Sequence, residues 1–167
     1  KGIYLPNLMM NEIKMLYQDE FNIGCWALDI IEKYTKVRLP VDEAAYIAMH
    51  VVSARLNDTS TGTINILIFV KGILNIIQNI FNINLDENNI NIVRLKTHLK
   101  FLAQRIFKNI DTKPIDVPDI YNLLLNKNSK LNDCMNQINE FVWDTFEYHL
   151  SFQEQFYLLI HLSVVIQ

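Results

Sequence analysis

"RLPVDEAAYIAMHVVSARL", residues 38–56, carries a helix start, an apolar face and one histidine, His50. Pro40 stands where a first helical turn needs no N–H, and Asp42 can accept from the unpaired amides that follow. Ala44, Ile47, Ala48 and Val51 recur at helical spacing. Glu43, Tyr46 and His50 fall at i, i+3 and i+7, so they share a different stripe of the same helix. That stripe returns near the C-terminus, in "HLSFQEQFYLLIHLSVVIQ", residues 149–167. When Leu39 is set on Leu150, Glu43 falls on Glu154, Tyr46 on Tyr157 and His50 on His161. Two copies of one helical unit are therefore expected.

The rest of the chain is also helical in pattern, which makes the fold class all-α. Leu8, Ile13, Leu16 and Tyr17 begin a stripe that runs to about Asp19. Ile23, Ala27, Ile30, Ile31 and Tyr34 make another. "NDTSTGT", residues 57–63, is small, polar and aperiodic, as a linker is. Beyond it helices are expected over 64–82, 87–108, 117–127, 130–147 and 152–166. "TINILIFV" has strand-like residues but continues into a 3.6-residue stripe, so it belongs to the first of these. The expected domains are 1–60 and 64–167.

Half of the residues are apolar and a fifth are charged, an ordinary globular composition. The formal net charge of −3 gives no general attraction to nucleic acid phosphates. Cys25 and Cys134 are far apart and lack metal-ligand spacing, which points to reduced thiols in the cytoplasm. No uninterrupted apolar run reaches the roughly 20 residues of a membrane span, so no membrane insertion is expected. No cofactor or metal site is expected either.

His98 lies in "RLKTHLKFLAQRIF", with Arg94, Phe101 and Arg105 on its stripe. A histidine between two guanidinium groups on one face can cradle phosphate, because arginine offers planar, charged donors. Shifted back by the repeat offset, the partner of His98 falls before Lys1. The first unit is thus expected to be truncated at its N-terminus, in keeping with a start that lacks Met. A satisfied core or interface histidine is the plainer reading of any one of these rings. For Glu43 and Glu154 it is a first-turn carboxylate, and for Arg94 and Arg105 a solvated charge.

Two blocks, "LPVDEAAYIAMH" and "THLKFLAQR", together with "EYHLSFQEQFYLLIHL", resemble the PTS regulation domains (PRDs) of antiterminators of the BglG/LicT/SacY type. The resemblance covers nearly the whole chain. It implies two tandem helical-bundle PRDs that form homodimers, and a regulatory role without enzyme activity. It implies phosphate acceptance at His50 in the first unit and at His98 and His161 in the second. Arg94, Arg105, Glu43, Tyr46, Glu154 and Tyr157 would neighbour the phosphate, the last four being candidates to fix a histidine tautomer. The implied donors are HPr for the second unit and sugar permeases (EII components) for the first. An RNA-binding domain would lie N-terminal to this stretch, which itself would bind neither RNA nor DNA. A DNA-binding activator with the same regulatory domains is an alternative. So is a helical oligomerisation module without phosphate chemistry. A metal-dependent helical enzyme is a more distant one.

Overall fold

The structure, a computed structural model, describes residues 7–56, 60–86, 89–108, 110 and 118–166. Eight helices and no strand occur among them: α1 (Met10–Leu16), α2 (Gln18–Thr35), α3 (Asp42–Leu56), α4 (Ser60–Phe81), α5 (Ile90–Phe107), α6 (Pro118–Lys127), α7 (Ser129–Phe146) and α8 (Phe152–Val165). The chain divides into two compact units, Lys1–Leu67 and Ile68–Gln167. This division lies inside α4, whereas the linker was expected over 57–63. Residues 57–59 of that stretch are outside the described residues, and the rest of it is helical. Thr63 explains the early start of α4: it is buried, and its hydroxyl pairs with that of Ser53 at 3.0 Å.

In the first unit α1, α2 and α3 pack on one another. Ile13, Leu16, Tyr17 and Phe21 meet Ala44, Ala45, Ala48 and Val52 in its core. The core face of α3 thus differs from the expected one by including Ala45 and Val52 in place of Ile47 and Val51. The small side chains of α3 let α2 approach closely. At the crossing a Cβ built on Gly24 would stand 2.2 Å from the carbonyl oxygen of Ala44.

That close crossing also corrects the expected stripe of α2. Ile23 is 45% exposed and Tyr34 78%, while Phe21 and Gly24 face the core. The stripe at the N-terminus is corrected as well. α1 ends at Leu16, and Leu8 is exposed. Two polar links pin the unit. The Asn7 N–H donates to Asp42 Oδ1 at 2.7 Å, and Arg55 bridges to the buried Glu20 at 2.5 Å.

The second unit is built on α4 from Ile68 and on α5 to α8. Phe69, Val70, Ile73 and Ile77 of α4 are fully buried. By length and apolar content Gly62–Phe81 of α4 could cross a membrane; these four residues nonetheless give it a face buried within the second unit. Phe69, Phe107, Phe141 and Phe146 form a ring cluster with neighbouring centroids 5.0–6.1 Å apart. Caps set the helix starts. Asn89 accepts from the Asn91 N–H at 2.9 Å, and Asn128 from the Lys130 N–H at 3.0 Å. The abundant asparagine thus serves helix ends here.

Gly24→Ala is expected to destabilise the first unit, although alanine is the better helix former. The added methyl meets backbone, which cannot rotate away, so the loss should be about 1–3 kcal/mol. Denaturant unfolding followed by hydrogen exchange of α2 and α3 measures it; an unchanged or raised stability would refute the close crossing.

Candidate functional site

α5 packs on α8 in the second unit. Leu95, Leu99, Leu102 and Ile106 are the buried side of α5, and Leu158, Leu159 and Leu162 that of α8. His98 and Arg105 border the α5 leucines. Tyr157 and His161, one turn apart, border those of α8. Packing of the leucines therefore brings the two margins together.

The imidazole rings of His98 and His161 stack, with centroids 3.7 Å apart and an interplanar angle of 17°. Tyr157 closes the group. Its hydroxyl is 2.5 Å from His98 Nδ1, and its ring meets His161 edge-on at 4.7 Å. Arg105 lies over the other part of that tyrosine, its guanidinium carbon 5.1 Å from the ring centroid. Arg105 Nε is buried and has no hydrogen-bond partner among the described residues. Arg94 is exposed on the His98 stripe and close enough to act on its charge.

Both histidines are held neutral. Burial is the main cause for His98, and the charge of Arg94 adds to it. Burial depresses His161 to about 4, with a further contribution from His98. Burial raises Tyr157, partly offset by Arg105. A pair of neutral imidazoles at pH 7 offers ring nitrogens with free lone pairs.

The phase of α8 is fixed by its first turn. Ser151 and Glu154 form a reciprocal capping box: the Ser151 N–H donates to Glu154 Oε2 at 2.8 Å, and the Glu154 N–H donates to Ser151 Oγ at 3.4 Å. Tyr148 Oη donates to both oxygens of Glu154, at 3.1 and 3.2 Å. Glu154, a candidate to hold a histidine tautomer, thus has its carboxylate in the cap, and Tyr157 is the residue that meets His98. Gln155 adds a second anchor that the repeat did not point to. Its Oε1 accepts from Tyr121 and Asn139, and its Nε2 donates to the Leu150 carbonyl at 2.8 Å. The Ser-x-x-Glu spacing in "SFQE" was the signal for the box.

The matching stripe of the first unit is arranged differently. His50 is exposed, and Glu43 and Tyr46 are half-buried on α3. The first unit contains no second histidine within this chain. His149 lies apart from the pair, exposed and stacked on Trp143 with ring centroids 4.1 Å apart.

The site belongs to an all-helical unit with a stacked histidine pair between two helices, bordered by arginines. The PRD domain family matches residues 1–54 and 71–164, and the chain belongs to it. Along its full length the chain is 35% identical to the transcription antiterminator LicT of Bacillus subtilis (strain 168), of which it spans 60%. It is 34% identical to the beta-glucoside operon antiterminator of Dickeya chrysanthemi, over 99% of this chain and 58% of that protein. It is 26% identical to the PtsGHI operon antiterminator of Bacillus subtilis, over 97% of this chain and 57% of that protein. The chain thus spans somewhat less than two thirds of these relatives.

The depressed histidines make stability depend on pH in a definite sense. Below the unfolded value of 6.5 the unfolded chain binds a proton at position 161 that the folded chain refuses until about pH 4. Folded-state stability should therefore fall as pH drops from 6.5 towards 4, and His98 acts in the same direction. His161→Phe should flatten this part of the profile relative to wild type. Urea midpoints at pH 7 and pH 5 for both proteins measure the difference; parallel profiles would contradict a neutral, buried His161.

Proposed function

We propose that the chain is the phosphorylation-controlled regulatory region of a sugar-responsive transcriptional antiterminator. His98 and His161 accept phosphate from HPr, and His50 accepts it from a sugar permease, in both cases within the phosphotransferase system. The stacked His98–His161 pair beside Arg105 carries this reading. Its rings are neutral at pH 7 and hence nucleophilic. The buried Arg105 Nε lacks a hydrogen-bond partner among the described residues, and a phosphoryl oxygen that reached it would supply one. The exposure of His50 suits access by a protein donor. The full-length match to relatives named as antiterminators supports the regulatory setting.

Phosphorylation adds roughly −1.5 to −2 charges, by analogy with phosphorylated hydroxyls. At the α5–α8 margin that charge attracts Arg94 and Arg105 and favours a proton on the neighbouring imidazole. Each change alters the packing of two helices that meet through leucines. A homodimer then shifts between two arrangements and transmits the change to an RNA-binding domain outside this chain. The chain accepts a phosphoryl group and performs no chemistry on a substrate. It works in the cytoplasm, with no membrane insertion. With a net charge of −3, it binds neither RNA nor DNA by itself.

Transfer of radiolabelled phosphate from phosphorylated HPr tests the assignment. His98→Ala should remove most of the label, and His161→Ala a smaller part. A His98→Ala, His161→Ala double variant that labels like wild type would move the second-unit site elsewhere. Hairpin RNA binding by this chain at physiological salt would contradict the separate RNA-binding domain.

A further inference from the structure

The hydroxyl of Tyr157 meets His98 at one nitrogen only, Nδ1. A neutral imidazole has one N–H and one lone pair, and a phosphoryl group adds at the lone pair. A tyrosine hydroxyl both donates and accepts, so it can serve either tautomer. With the hydrogen on Nδ1, that N–H donates to Tyr157 Oη, and the lone pair is at Nε2. With the hydrogen on Nε2, the Nδ1 lone pair accepts from the tyrosine O–H, and neither nitrogen is open to attack. In both tautomers Nδ1 is engaged. No hydrogen bond reaches Nε2 of the ring among the described residues.

The surroundings keep this contact in place. His161 stacks on the His98 ring and fixes its plane. Arg105 lies over the Tyr157 ring, and the same ring abuts His161 edge-on. Tyr157 and His161 are one turn apart on a helix whose start is set by the Ser151–Glu154 box.

We infer that Tyr157 is a positioning residue that confines phosphorylation of His98 to Nε2. The inference rests on the reading of His98 as a phosphate acceptor and names the atom that reacts. In the step, the Nε2 lone pair attacks phosphorus of a phosphohistidine donor. A new N–P bond forms as the donor's N–P bond breaks. The electron pair returns to the donor ring, which takes up a proton from solvent. The phosphorylated His98 ring is first a cation whose Nδ1–H donates to Tyr157 Oη; loss of that proton to solvent returns the ring to neutrality, and the Tyr157 O–H then donates to Nδ1.

Tyr157→Phe removes the hydroxyl and retains the ring. Wild type and variant are each treated as the full chain with phosphorylated HPr and, separately, with phosphoramidate. The labelled residue is mapped by fragment mass spectrometry, and the isomer is read at early times by 31P–15N NMR. Long-range 1H–15N spectra of the unphosphorylated proteins report the His98 tautomer. Wild type should give only the Nε2 isomer at His98 and the Nδ1–H tautomer. Tyr157→Phe should give a share of the Nδ1 isomer and a shift towards the Nε2–H tautomer. The Nδ1 isomer in wild type, or the same isomer composition in both proteins, would overturn the inference. If neither donor labels His98, the acceptor reading fails instead. The tautomer spectra then still decide the hold of Tyr157, since an Nε2–H ring in wild type would overturn it.

Discussion

Leucine packing between α5 and α8 is the constraint on which the site depends. Leu95, Leu99 and Leu102 on one helix and Leu158, Leu159 and Leu162 on the other are buried almost completely. Each such side chain contributes about 1.5–3 kcal/mol on burial, far more than the hydrogen bond and ring contacts beside it. The histidines do not hold the helices together. They occupy the margin that the leucines bring together, so a change in their charge acts on an interface already formed.

This arrangement explains why the pair is held neutral. Partial burial withholds a proton from each ring, the charge of Arg94 opposes one on His98, and His98 opposes one on His161. The guanidinium groups of Arg94 and Arg105 favour an anion. The unmodified site is thus a neutral pair among positive charges, and a phosphoryl group would reverse the balance. Tyr157 touches both rings and lies under Arg105, so it is the side chain through which the members of the site are mutually placed.

The helical class and the coming together of His98 and His161 were legible in the sequence. The repeated Glu, Tyr and His spacing set the phase of α8, and helical phase decides which residues share a margin. The tautomer partner was not legible at the same level, because Glu43, Tyr46, Glu154 and Tyr157 were equally available. Helix crossing selects Tyr157, and the capping box takes Glu154. α2 was misjudged for another reason. Periodicity counts apolar residues, but the approach at Gly24 brings its backbone to the core, and Ile23 and Tyr34 at the two ends of the stripe stay exposed while Ala27, Ile30 and Ile31 are half-buried. The start of α4 is obscured by its small polar residues, since "STGT", residues 60–63, has the composition of a linker until Thr63 finds Ser53.

The stack of His149 on Trp143 gives the protein an optical consequence. The chain has two tryptophans, and each compact unit holds one of them. Trp143 lies 4.1 Å from an imidazole and nearly parallel to it. A stacked imidazole at that distance sets the surroundings of the indole, on which its emission depends. Trp26, 65% exposed, has no ring contact of this kind among the described residues. The emission of the second unit therefore reports on the Trp143–His149 stack, while that of the first reports on the solvent around Trp26. The two units carry separate fluorescent signals in one unlabelled chain.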